Sequence, residues 1–238
     1  MENENNNNPS EEPVSGSGNL PKLNKTVAIE IAKAKHIVLN AQKEPLVTEL
    51  AARGLDAEFF STLETDIQAA IDLAQLSVSN TTLKEGATQN EHRLEEQLVE
   101  GIQEVQSAAR QKYRVVNPEI LPAYYIGEDL RRSAAVLNLV AGGVLSMIGE
   151  DPLPGFDQEK IDQFETLYLA WLTAEDVQGD RQAAATGTRA GRDNKVESVK
   201  NRRIVIQLAV NAQYPYQNKD NVAIRRIFLL PIDRPYTG

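Results

Sequence analysis

Apolar residues recur at helical spacing over most of this chain. Val27, Ile31, Ala34, Val38 and Ala41 step by four, three, four and three, one stripe of an amphipathic helix that opens near Asn24. Pro45 lacks an N–H and disfavours helix at Glu44, so the helix should kink or restart there. Gly54 then breaks the pattern, and Asp56 reads as an N-cap, with Leu55 and Phe60 placed as a hydrophobic staple. Phe60, Leu63, Ile67, Ala70 and Ala74 carry the next stripe, and Leu94, Leu98, Ile102, Val105 and Ala109 a third, over about 89–113.

The same sequence of signals returns one hundred and one positions later. Gly155, Phe156, Asp157 and Ile161 repeat the break, staple and cap, and Ile161, Phe164, Tyr168 and Trp171 continue the stripe. A helix over about 125–148 precedes it, with Leu130, Ala134, Leu137, Ala141, Val144 and Ile148 apolar. Another follows over about 193–213, with Val196, Val199, Ile206 and Val210. Without gaps, 16 of the 99 pairs from Leu20/Leu121 to Pro118/Lys219 are identical. Composition alone gives about 6 or 7.

These patterns predict an all-α protein, an antiparallel helical bundle of two tandem three-helix repeats offset by 101 residues. The expected divisions are a disordered tail over 1–19, repeat one over 20–118, repeat two over 119–218 packed with it, and an arm over 219–238. The polar stretches 77–92 and 173–194 hold few large apolar residues and are expected as hairpins between the second and third helices. If helical, they must project beyond the core, having little to bury. Leu230-Pro231 repeats the Leu-Pro that opens each unit, as if the arm docks where a third would begin.

Charge is unevenly placed. Residues 1–180 carry 14 Lys/Arg against 30 Asp/Glu, and residues 181–226 carry 10 against 3. The basic stretch is expected to lie beside the acidic part of the bundle. A nucleic-acid surface over 181–226 is the alternative, opposed by the overall charge of −9. The N-terminus shows no basic, then apolar, secretory pattern, and no apolar run reaches the ~18 residues of a membrane span. A cytoplasmic protein is the expectation.

The chain offers little recognisable catalytic chemistry. The absence of cysteine removes thiolate catalysis and thiolate metal sites. A di-iron bundle wants Glu three residues before each His, but Lys33 precedes His36 and Gln89 precedes His92. No Gly-x-Ser-x-Gly elbow is present, and Gly187 to Gly191 lacks the spacing of a phosphate loop. Paired carboxylates such as Glu95-Glu96 read as solvated charge. No catalytic residue, cofactor or metal ligand is therefore named. The densest arginine and tyrosine content is Arg202, Arg203, Tyr214, Tyr216, Arg225, Arg226, Arg234 and Tyr236, residue types enriched at interfaces. They form either an interaction patch or an intramolecular strap that closes the bundle.

The reading that results is a non-enzymatic structural or interaction protein, a helical scaffold expected to self-associate or bind a protein partner. Its alternative is a small-molecule binder or enzyme with a pocket between the repeats, near Tyr113 and Tyr214 or Tyr168 and Trp171.

Overall fold

A computed structural model describes residues 24–238. The tail expected over 1–19 and the opening Leu20-Pro21 lie outside the described residues. Within them the chain is all-helical, with no strand, and no helix is long and apolar enough to cross a membrane.

Helix α1 spans Lys25–Ala41 and α2 spans Leu46–Ala51, separated by the turn that contains Pro45. Asn24 caps α1 by accepting from the Thr26 and Val27 amides, and the whole sequence-read stripe of α1 is buried. Helix α3 then runs unbroken over Ala57–Tyr113, 57 residues or about 85 Å. A 3₁₀ turn over Pro118–Tyr124 leads to α4, Ala134–Glu150, capped by Ser133. Helix α5 covers Gln158–Gln213, and a short 3₁₀ turn precedes α6, Val222–Ile227.

The hairpins expected over 77–92 and 173–194 do not form. Both stretches continue as helix, so the expected second and third helices of each unit are one. The expected start of a helix near residue 125 also moves, to Ala134. The physical reason lies in what those polar stretches lack. Neither long helix contains a proline, while Pro45, Pro118, Pro152, Pro154 and Pro215 lie outside their ends. Glycine in a helix costs only about 1 kcal/mol relative to alanine, which pairing of the two helices can offset. In their middles α3 and α5 need cover only a narrow strip of each other. Ser77 and Ala185 are buried, and Gly191 faces the Leu73 side chain. Across this seam Asn80 donates to Thr188 at 2.8 Å, Arg189 to Thr81 at 3.1 Å, and Arg192 to Ser77 at 3.3 Å.

The two long helices run antiparallel, and each contributes to two separate apolar clusters. One cluster joins α1, α2 and the start of α3 to the end of α5 and to Phe228 and Leu230 of the arm. The other joins the end of α3, Tyr124 and α4 to the start of α5 through Trp171. The sequence boundary at 118/119 therefore falls inside one cluster, because Tyr113 and Tyr124 both belong to it.

Positions 101 apart share local structure at several points. Gly54 and Gly155 adopt φ of +82° and +80°, values that side chains rarely allow. Asp56 and Asp157 then accept from the amide three residues on, at 2.9 and 3.0 Å. The staple residues Leu55, Phe60, Phe156 and Ile161 are buried. Gln106 and Gln207, also 101 apart, are buried glutamines. Gln106 donates to the Tyr124 and Tyr125 carbonyls, and Gln207 to the Phe228 carbonyl. The next residues, Tyr125 and Leu229, are the two non-glycine positions of positive φ among those described, at 54° and 56°. Such a conformation costs roughly 1–3 kcal/mol and persists only where its surroundings impose it. Here a buried amide fixes the turn at both ends of the molecule.

Candidate functional site

The arginine and tyrosine residues singled out in the sequence are dispersed by the fold. Arg225 is fully buried, and its guanidinium donates to the Pro231, Tyr214 and Arg234 carbonyls and to Asn211 Oδ1, at 2.8, 2.7, 3.3 and 3.0 Å. Arg203 is also buried, donating to Gln207 Oε1 at 2.6 Å and to Glu30 of α1 at 3.0 Å. Gln207 Oε1 also accepts from the Tyr236 hydroxyl at 2.8 Å. His36 of α1 donates to the Ile227 carbonyl at 2.9 Å, so the arm is held from both sides. Tyr214 is half-buried and donates its hydroxyl to Glu49 of α2. Tyr216 is half-buried, and Arg226 and Arg234 are exposed. The strap and the patch thus divide this set: Arg203, Tyr214, Arg225 and Tyr236 close the bundle, whereas Arg226 and Arg234 face outward.

The basic stretch pairs with acidic groups of α1 and α3. Lys195 lies 2.7 Å from Asp66, Ser198 donates to the same carboxylate at 3.0 Å, and Arg202 lies 3.3 Å from it. Burial alone would push Asp66 up. The hydrogen bonds from Lys195 and Ser198, with the charges of Lys195 and Arg202, hold it below the usual carboxylate range instead. Glu30 behaves alike: burial pushes upward, and Lys33 and Arg203 together outweigh it. Burial and the Glu49 carboxylate push the Tyr214 hydroxyl up to about 12.

Of the aromatic pairs considered for a central pocket, Tyr113 and Tyr214 lie in different apolar clusters, and Tyr168 and Trp171 lie together in one. Tyr113 stacks on Tyr124 in one apolar cluster, while Tyr214 packs against the other. Tyr168 bonds to Asn138 of α4, and Trp171 is fully buried.

Among the described residues, one group of imidazole and carboxylates could hold a metal ion, and the sequence reading did not single it out. On α3, Glu91, His92 and Glu95 bring their side-chain donor atoms within 4.8 Å of one another. Glu175 of α5 and the Trp171 indole face Glu91 as well. Burial pushes the Glu91 carboxyl above its ordinary value. His92 opposes this, while Glu95 and Glu175 reinforce it. The signal was available as Glu at one residue before His92 and three after it; a search for Glu only three before misses it.

No known protein family matches this chain, and neither a curated protein nor a solved structure matches it.

Proposed function

We propose that this protein is a non-enzymatic structural or interaction protein, a duplicated helical scaffold that self-associates. The supporting observation is the pair of long antiparallel helices: each packs into an apolar cluster near both of its ends, and their middles rest on each other through a polar seam. Such an arrangement invests chain length in span and leaves lateral faces of both helices open. The recurring glutamine clamps and capped helix starts support a duplication with a 101-residue offset. Under it, the arm plays at one end the part that the turn before α4 plays at the other.

The surface of α4 and the adjoining part of α5 is the proposed contact. From Ala134 to Gly149 α4 carries no charged residue, and Leu139 and Leu169 are 66% and 53% exposed. Both flank the bonded pair Asn138–Tyr168. Burying one such leucine contributes on the order of 1.5–3 kcal/mol, enough for two copies to recognise each other when several act together. Light scattering after size exclusion tests this. The expected mass exceeds the 26.3 kDa of one chain and rises with concentration, and L139E/L169E returns it to one chain. A single-chain mass at every concentration removes self-association from the reading.

A further inference from the structure

Several carboxylates removed from full exposure are met by cations. Asp66 has Lys195 and Arg202, Glu30 has Lys33 and Arg203, and Asp151 has Lys112. The cluster where the polar seam meets the α4-side core is different. Glu91 and Glu95 converge there with one imidazole, Glu175 of α5 lies near enough to act on the Glu91 charge, and among the described residues no lysine or arginine nitrogen lies within 4.0 Å of these carboxylates. His92 Nδ1 is 3.4 Å from a Glu91 oxygen and 3.3 Å from a Glu95 oxygen. The i, i+4 spacing of the two glutamates places both on one face of α3, one turn apart.

A second observation comes from the opposite helix. Trp171 is 0% exposed, and its Nε1 has no hydrogen-bond partner. The indole N–H is directed at the Glu91 carboxylate and lowers its pKa as a donor does, but it completes no well-formed hydrogen bond there. An indole N–H can only donate, so a buried one whose nearest acceptor is poorly placed is only partly compensated. A carboxylate drawn onto a cation, or a water in that cation's shell, presents a well-placed oxygen. Donors in the outer shell of metal sites orient the ligands in this way.

We infer that Glu91, His92 and Glu95 form a binding site for a divalent first-row transition cation, with Glu175 and Trp171 supporting it from α5. One imidazole nitrogen and two carboxylate oxygens suit Zn²⁺, Co²⁺ or Ni²⁺, whereas Mg²⁺ and Ca²⁺ prefer all-oxygen shells. Three carboxylates supply the negative field that attracts the ion, and the open side of the exposed His92 admits it.

The test uses the full chain without an affinity tag, stripped with a chelator and titrated with Zn²⁺ by calorimetry. Trp171 is the sole tryptophan, so the emission reports the surroundings of the indole beside this site. The expected result is one equivalent bound with a dissociation constant near 1 μM or tighter, with a change in tryptophan emission. H92A and E91Q/E95Q should each weaken binding by about 10-fold or more, and E175Q several-fold. The 65% exposure of His92 keeps H92A folded, checked by circular dichroism. H36A should leave Zn²⁺ binding unchanged. Absence of heat and of an emission change up to ~1 mM Zn²⁺ overturns the site. So does binding that survives H92A and E91Q/E95Q, and equal competition by Mg²⁺ overturns the assigned ion class.

Discussion

Removing the Arg225 guanidinium should release the C-terminal arm. Arg225 is fully buried with no carboxylate partner among the described residues; three backbone carbonyls and Asn211 Oδ1 take its protons. Three of these bonds measure 3.0 Å or less. Charge-assisted bonds contribute about 1.5–3 kcal/mol each, roughly 5–9 kcal/mol together. Burying the guanidinium costs several kcal/mol in return. In R225A the acceptors lose their donor, but the arm can swing into water, which limits the penalty to the energy of its docking. Phe228 and Leu230 are buried in that docking, so the expected net loss is about 2–4 kcal/mol. For a chain of this size that lowers Tm by about 4–16 °C. R225K should fall between, because an ammonium offers three donors from one point and cannot span acceptors arranged for a planar fork. Thermal unfolding measures the loss. Trypsin cleavage after the exposed Arg226 measures arm release, which should quicken in R225A while α3 stays protected. A Tm within ~1 °C of the parent, with unchanged cleavage, would refute the assignment of the guanidinium as the clasp.

Other outcomes follow from the same geometry. A Cβ at Gly86 meets nothing within 4 Å, so G86A should stabilise α3 by about 0.5–1 kcal/mol in chemical denaturation. At Gly143 a Cβ would lie 2.6 Å from the Tyr125 ring, so G143A should cost about 1–3 kcal/mol; equal effects of the two substitutions would contradict the packing described. The Tyr214 hydroxyl, raised from 10.0 to about 12, favours the folded state below pH 10; that contribution should disappear between pH 10 and about 12, and Y214F should flatten the pH–stability curve there. Asp66 and Glu30 are held below 3.8 and 4.5, so their contribution is present above those values and lost as pH falls below them. D66N should reduce the acid sensitivity measured by Tm between pH 5 and 2, a range fixed by the same linkage.

How much of this was legible in the chain depends on the range of the interaction. Each stripe read from Val27 to Ala109 is buried, because a 3.6-residue period places those side chains on one face whatever lies opposite. The starts at Asn24, Asp56 and Asp157 were legible for a similar reason, since a cap bonds to amides only two or three residues away. The polar stretches 77–92 and 173–194 misled because local composition resembles a loop when the covering partner is out of sight. Their helicity is decided by α3 and α5 lying against each other, a contact between residues more than one hundred positions apart.

The candidate residues divide along the same line. Sequence drew attention to Arg225 and Tyr236 by type, and the fold determined that both point inward, joined through Asn211 and Gln207. Glu91, His92 and Glu95 were adjacent in the chain, yet nothing local distinguished them from a solvated acidic face. Glu175 and the Trp171 N–H reach them only across the α3–α5 contact. The amino-acid sequence by itself determined that this protein is helical, where its long helices begin, and which face of each is buried. Only the tertiary structure decided that those helices run unbroken, that each apolar cluster draws on both halves of the chain, and which polar groups meet. Periodicity and capping are short-range properties of one segment, whereas pairing, burial of charge and closure of the arm depend on which distant segment arrives to share the interface.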